Sequence, residues 1–597
     1  PCLMDVITYL FSDGTPICSD HIFSSLTSYG LPEAAVSRIP VSSRTELQLV
    51  AQRSAQYSDP SQECGTWQSV IIGAADDERY PPTPNSDQPG HTRDAEEVFT
   101  EHIPDGMVPI RNYEIFWDWN SSWKKPECRA AFIENWSEGA LAVFFLGHGS
   151  FDQLTDEGLM YIEDTQSMAC GPRMPYAFFG SCDVGLFQNP SHDCIAGALI
   201  TSTAGGAIVS SAAASKSGAT SNAGFLMNIF DILLFDDSYT IGEAQWLGML
   251  NHGAYSNDKR YIIFGDGSLF LALPDSRISV EDFQLRTSQL SSIAGSLDQP
   301  GLAMITAWES ARPDSYFTLN QNYLIEYLTT PGVFYRGLAS AEPGFTASMF
   351  VPEVAVTGDM ARVRFFAPGE GGGDLVCDYP VDLLYGTGSP DDTLGPDIDL
   401  WINGFRGIES PQVSGEVVLE ALLEDESGIN LLPYPGNQLA LYIDESPVDI
   451  ADWFTYQPGS STTGGIVFPL PELQPGEHTL RLRAADNLSN LSWSEMTFTL
   501  LEDESTGISD LFVYPTPAVA VMSFNWTQSS PGPVTISIYS VNGRRIREMG
   551  NLPGDSGYNQ HTWDLTDEDG DRVASGVYVY VVSAGNSSLT GVATVAR

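Results

Sequence analysis

The chain has 597 residues, 42% of them hydrophobic, and carries 77 acidic against 27 basic side chains for a net charge of −50. That balance excludes a nucleic-acid backbone or an anionic lipid surface as the main partner, and the only lysines (Lys124, Lys125, Lys216 and Lys259) form no polybasic anchor. At about 150 residues per domain the length predicts roughly four domains with ordinary cores.

Acidity of this degree fits calcium sites, a salty or extracellular milieu, or a solubility shell, the last being the simplest reading. Eight cysteines stand at 2, 18, 64, 128, 170, 182, 194 and 377, with no CxxC pair, so neither a zinc ribbon nor a thioredoxin motif is supported. Their crowding into the first third argues against a disulfide scaffold. The chain opens Pro-Cys-Leu-Met-Asp, without a basic and apolar leader, and contains no run of eighteen apolar residues. It reads as a segment that lacks its N-terminus.

Residues 1–275 alternate strand-like and helix-like segments. Gln68–Ala74, Leu141–Leu146, Tyr176–Gly180 and Gly206–Ser211 read as strands, and Tyr261–Leu273 closes the set. Arg93–His102, Ala196–Thr203 and Ala223–Leu234 read as helices. Such alternation predicts an α/β domain with a mainly parallel sheet. From Pro274 helical periodicity fades, and Gly, Pro, Ser and Asp punctuate short strands such as Val417–Leu423 and Leu439–Ile443. This predicts a β-rich module over 276–395 and an immunoglobulin-like all-β sandwich over 396–503, with Gly369–Asp374 and Gly386–Asp399 between them, and a last β module over 507–597. Asp425–Asn430, Ala485–Asn487 and Asp567–Asp571 read as turns in which Asp and Asn cap backbone groups; structural calcium is the alternative there.

The chemistry gathers at two strand ends. Leu141–Leu146 runs into Gly147-His148-Gly149, and Tyr176–Gly180 into Ser181-Cys182-Asp183. Open α/β sheets bind ligands at the carboxyl ends of their strands. A thiol and an imidazole on neighbouring ends are the minimum for a nucleophile and its general base. A buried Cys in a strand is usually a small hydrophobe, which is the reading for Cys128, Cys170 and Cys194, but Cys182 lies past its strand in a turn. The N–H groups of Gly149 and Cys182 are the expected oxyanion donors. His91, His102, His192 and His252 lack a comparable partner in the sequence, with His192 the fallback base. Asp76, Asp77 and Asp152 are candidates to orient the imidazole, and each taken alone reads as a solvated loop carboxylate.

Gly147-His148-Gly149-Ser150, Ser181-Cys182-Asp183-Val-Gly185, Gly206-Ala-Ile-Val-Ser210 and Phe264-Gly-Asp-Gly-Ser-Leu269 together resemble the gingipain family of cysteine peptidases. Ser37–Arg44 and the strand Gln68–Ala74 also look like that family's non-catalytic half. The resemblance spans roughly residues 5–275 and implies a caspase-like fold, a Cys182 nucleophile, a His148 base, no required cofactor and no metal ligand set. Asp76 falls where the family can carry a Glu that orients the His. Where basic-specific members carry an acid, this chain has Gly90-His91-Thr92-Arg93 with Asp94 displaced, so cleavage after Arg or Lys is not implied.

Downstream, Gly395–Asp399, Asp425–Asn430, Gly476-Glu-His478 and Ala485–Asn487 resemble the sandwich region of the type IX secretion sortase. Tyr514–Pro517, Ile538–Gly543 and Gly576-Val-Tyr578 resemble FlgD-like, type IX C-terminal sorting domains. These likenesses imply a secreted or outer-membrane-surface cysteine endopeptidase, with protein substrates and type IX components as partners, acting as the sortase. The alternatives are a general protease that is itself type IX cargo, or a non-catalytic adhesion protein.

Overall fold

The computed structural model describes residues 8–595 apart from 11–15, 26–30, 60–64, 78–89, 105–106, 190, 255, 275–277, 298–300, 319–322, 343, 368–374, 388–391, 502–506, 541–543, 569 and 586. The linker Gly369–Asp374 and the turn Val541–Gly543 therefore lie outside the described residues.

Seven strands of the first half make one sheet: β1 (Ser37–Arg38), β2 (Val70–Ala75), β3 (Val108–Tyr113), β4 (Ala142–Leu146), β5 (Tyr176–Gly180), β6 (Val209–Ala213) and β7 (Tyr261–Gly265), in the spatial order β1-β7-β6-β5-β4-β2-β3. Every neighbouring pair is parallel except β6 with β7. The central strands are buried at every position because helices cover both faces, so their sequences are continuously apolar rather than alternating. Six helices connect them: α1 (Arg44–Tyr57), α2 (Gly90–Glu101), α3 (Pro126–Glu138), α4 (Ile195–Thr201), α5 (Ala219–Leu233) and α6 (Ile241–Asn251).

The chain leaves β2 through α2 to reach β3 on one side, then passes through α3 to β4 on the other side of β2. Right-handed crossovers in opposite directions put α2 and α3 on opposite faces and open a crevice at the carboxyl ends of β2 and β4. Helix α2 packs against α5, and α5 against α6, while α4 packs against α1 on the far face.

Strand and helix boundaries shift where side chains capture the backbone. Gln68, expected in β2, instead belongs to a 3-10 turn at Thr66–Ser69, where its Oε1 accepts from Gly65 N (3.2 Å) and its Nε2 donates to the Ala272 carbonyl (3.1 Å). Helix α5 starts at Ala219 rather than Ala223, because Asn257 Oδ1 fixes the Gly218 N-cap by accepting its N–H at 2.8 Å.

The remainder is β, in sheets that are antiparallel apart from two short parallel pairings, Leu285–Arg286 with Leu383–Leu384 and Gln412–Val413 with Thr499–Leu500. Strands on both sides of residue 395 share one apolar core, running from Ile278 to Leu500. The Tyr335 and Tyr456 rings stack inside it at 4.9 Å. Ile508–Val595 builds a separate core around Trp526 and Trp563. The hairpin Pro313–Phe317 with Leu324–Leu328 reaches back to α2, where the Leu328 N–H donates to Glu96 Oε1 at 3.0 Å. Among the described residues no helix is long and apolar enough to cross a membrane.

Candidate active site

Leu146 at the end of β4 pairs with Gly180 at the end of β5 and with Ala75 at the end of β2. His148 and Cys182 therefore each lie two residues past a paired position on adjacent strands, with Asp76 one residue past the third strand end. Neighbouring strands are about 4.8 Å apart, so three chemistry-bearing residues share one edge of the sheet. The two loops also touch. A Cβ on Gly149 would lie 2.6 Å from Ser181 Oγ and 3.2 Å from Val184 Cγ2, so only glycine lets the His148 loop close onto the Cys182 turn.

Cys182 is half-buried and its thiol is free. Asp183 after it has φ +60°, a left-handed conformation that Asp tolerates better than most residues and that turns the chain sharply behind the sulfur. The Ser217 N–H donates to Cys182 Sγ at 3.3 Å, one residue before the N-cap of α5. A donor beside a helix N-terminus suits a sulfur that carries negative charge. Asn222, buried on α5, holds this loop by donating to Ser217 Oγ at 3.0 Å, and Asn257 Nδ2 donates in turn to Asn222 Oδ1 at 2.9 Å.

His148 is exposed, and its main chain is pinned: its N–H donates to Asp76 Oδ2 at 2.7 Å, and its carbonyl accepts from Thr155 N at 3.0 Å. Gly149 faces Leu154 as the non-hydrogen-bonded pair of a short antiparallel bridge, so its own N–H points away from that hairpin. Among the described residues neither the Gly149 nor the Cys182 N–H donates to a protein acceptor.

Asp76 and Asp77 are not solvated loop carboxylates; both are buried, 4% and 2% exposed. The Asp76 N–H donates to the Leu146 carbonyl (3.0 Å), and its own carbonyl accepts from Thr92 Oγ1 (3.3 Å), so this residue ties together β2, the His148 loop and the first turn of α2. That turn brings in a residue without a sequence partner. The His91 ring packs edge-on against His148 at 5.5 Å, and nitrogen atoms of His91 and His148 and an oxygen of Asp76 all lie within 4.8 Å of one another. The available signal was positional: the first turn of the helix after β2 must return to the carboxyl edge of the sheet.

Behind Asp76 lies a buried charge cluster that the sequence did not reveal. Carboxylate oxygens of Asp76, Asp77, Glu114 and Glu157 fall within 4.8 Å of one another. The buried Lys125 ammonium enters this group, donating to Asp77 Oδ2 (2.5 Å) and to the Glu114 carbonyl (2.7 Å), and lies 4.0 Å over the Trp119 ring. Burial raises Glu114 well above the usual carboxylate range, the charges of Asp76, Asp77 and Glu157 push the same way, and Lys125 opposes them. Glu157 is raised as well, chiefly by burial.

A Glu in the unfolded chain ionises near pH 4.3. Between that pH and the raised native value, the folded protein keeps a proton on Glu114 that the unfolded chain has lost, so stability falls as pH rises through this window. Glu114→Gln retains an acceptor for Thr155 Oγ1 (2.9 Å) and removes the charge. Its unfolding free energy at pH 8 is expected to exceed the parent's. The difference should shrink toward zero near pH 4, and urea denaturation at the two pH values measures it.

The other candidates lie elsewhere. Asp152 Oδ1 accepts from Ser150 Oγ (2.7 Å), and the exposed His192 stacks on Phe151 at 5.1 Å. Asp94 is engaged by the neighbouring Arg93 guanidinium (2.8 Å). Cys128, Cys170 and Cys194 are buried free thiols whose pKa values burial raises, to about 11 for Cys170 and Cys194. A cavity of about 620 Å³ opens between β1, α1 and α4, lined by Arg38, Glu46, His192 and Cys194, and neither Cys182 nor His148 lines it. In the sandwich region, Asp425 Oδ1 accepts from Ser427 N and Oγ and Asp486 Oδ1 from Leu488 N and Asn490 N, the capping expected of those turns.

Comparison with known proteins follows the same division. Residues 4–272 match the model of peptidase family C25, and residues 512–594 match that of the secretion system C-terminal sorting domain. None of the curated proteins matches the sequence. Among solved structures the chain is similar to dimeric latent PorU from Porphyromonas gingivalis, at 21% identity over 60% of this chain and 38% of that one, with a TM-score of 0.27. It is also similar to the Arg-specific cysteine proteinase gingipain R, at 16% identity over 62% of this chain and 79% of that one, with a TM-score of 0.37. The chain thus spans well under half the length of the first of these. A sorting domain of this kind marks a secreted or cell-surface protein, and residues 4–272, which carry Cys182 and His148 on adjacent strand ends, match the model of a family of cysteine peptidases.

Proposed function

We propose that the chain is a cysteine endopeptidase in which Cys182 is the nucleophile and His148 its general base, and that it acts as the sortase that trims C-terminal sorting domains from secreted proteins. The observation that carries the dyad is the common register of the two strand ends, tightened by the Gly149–Ser181 contact. In this reading His148 takes the Cys182 proton, and the thiolate adds to the scissile carbonyl. The oxyanion is held by the Gly149 and Cys182 N–H groups, which have no protein acceptor to give up. The tetrahedral adduct collapses as His148 returns the proton to the leaving amine. Water, or an amine in a transpeptidation, then releases the acyl group and restores the thiol. Asp76 serves as a positioning residue that holds the His148 main chain. No step calls for a cofactor.

The sorting role rests on the sequence resemblance of Gly395–Asp399, Asp425–Asn430 and Ala485–Asn487 to the type IX sortase, and is tested by mass spectrometry of the mature protein and of co-secreted proteins. A sortase is expected to keep its own residues from about 507 onward, and a strain carrying Cys182→Ala is expected to accumulate partners with untrimmed tails. Loss of the chain's own tail together with normal trimming in that strain would show a general protease that is itself cargo, the reading the terminal sorting domain favours.

A further inference from the structure

We propose that Asp76, His91 and His148 form a regulatory site for a divalent cation of the zinc class, seated at the mouth of the dyad. Its inhibitory consequence rests on the reading of His148 as the base; its ability to bind does not.

The three side chains come from three separate elements: the end of β2, the first turn of α2 and the loop after β4. One donor atom from each already lies within 4.8 Å of the other two, and the two imidazoles stand edge to face at 5.5 Å. Two imidazoles and one carboxylate with an open fourth position are the donor set of three-ligand zinc sites, with metal–ligand bonds of about 2.0–2.2 Å. Donor atoms around such an ion are roughly 3.3 Å apart, so rotation of the two half-exposed or exposed rings closes the set without moving a strand. The carboxylate is already braced: Asp76 Oδ2 accepts the His148 N–H at 2.7 Å, as outer bonds hold a metal ligand in orientation. Imidazole donors select zinc, copper or nickel over calcium and magnesium, which take oxygen ligands.

Coordination uses the same imidazole lone pair that accepts the Cys182 proton. Binding therefore forms metal–nitrogen and metal–oxygen bonds, expels to solvent any proton held on either ring, and breaks no covalent bond otherwise. While the cation is bound, His148 cannot act as base.

The test titrates zinc chloride into folded, full-length Cys182→Ala protein by calorimetry at pH 7.5, with His91→Ala and His91→Asn added in the same background. Thermal melts confirm that each variant is folded. One zinc per chain is expected without the thiol, with binding weakened at least about tenfold by either His91 substitution. In the presence of Cys182, zinc should stop peptide cleavage and a chelator restore it. Measured against its own zinc-free rate, the His91→Ala enzyme should need at least about tenfold more zinc for the same fractional inhibition. Unchanged affinity in both His91 variants overturns the site. So does binding that disappears with Cys182→Ala, which would place the metal on the thiolate. Should the protein cleave no peptide, the calorimetric arm still decides the site, so failure of the peptidase reading and failure of the metal site give different results.

Discussion

Cys182→Ala is expected to lower peptide-cleaving activity by at least about 10⁴-fold, to the background of a protein without a nucleophile. The side chain is half-buried at a loop and its sulfur accepts one backbone hydrogen bond, so the melting temperature should stay within a few degrees of the parent. His148→Ala should cost nearly as much, and the double variant no more than either single one, because a nucleophile and its base act as one unit. Profiling against a peptide library, with the alanine protein as control, measures the loss and reads the preferred residue before the cleaved bond. Residual activity within tenfold of the parent would remove Cys182 from the mechanism, whereas a parent that cleaves no peptide would leave a surface protein whose β modules do the binding. The geometry explains why the effect should be confined to chemistry: the proposed catalytic pair stands beyond the strands rather than within them, so removing the sulfur leaves no cavity in the core.

Lys125 should produce the largest loss of stability. Its ammonium is 1% exposed, bonded to Asp77 and the Glu114 carbonyl, and provides positive charge inside a buried group of four carboxyls. Lys125→Met keeps the volume and removes the charge, leaving Asp77 buried without its ionic partner. Breaking a buried ion pair from one side costs about 3–5 kcal/mol. Urea denaturation at pH 7.5 reads this directly, and a loss below about 1 kcal/mol would show that the carboxyls had taken up protons instead. Adding Glu114→Gln to Lys125→Met should recover part of the loss, because it removes the cost of holding a proton on a buried Glu114 at this pH. Activity is expected to fall with stability, since the same cluster includes Asp76, whose carboxylate holds the His148 main chain.

Asn222 illustrates how far the catalytic edge reaches into the fold. Among the described residues it makes no hydrogen bond to His148 or Cys182, yet its amide supports Ser217, whose N–H meets the sulfur. Sequence periodicity treats Asn222 as a helix residue of no special kind, because the contact that matters runs from α5 to the loop before it.

How much was readable from the residues follows from what is local. Continuous apolar runs such as Ala142–Leu146 and Tyr176–Gly180 can be buried on both faces only in a covered parallel sheet, so the α/β class of the first half and the alternating β character of the rest were both legible. Gly147-His148-Gly149 and Ser181-Cys182-Asp183 were legible as strand ends for the same reason, since the apolar pattern stops there. Element boundaries were less so: Gln68 left its strand to satisfy Gly65 and Ala272, a partner 204 positions away.

The sequence by itself determined the class of fold, the two strand ends that bear the thiol and the imidazole, and the acidic, β-rich character of the remainder, because each depends on composition or on a periodicity of a few residues. Only the tertiary structure decided that Leu146 and Gly180 stand in register, that Asp76 grips the His148 main chain, that His91 returns to the same edge, and that Lys125 lies within a buried group of carboxyls. Those relations join residues tens of positions apart through strand order and helix packing, and a burial that turns an ordinary acidic pair into a structural and electrostatic element has no local signature.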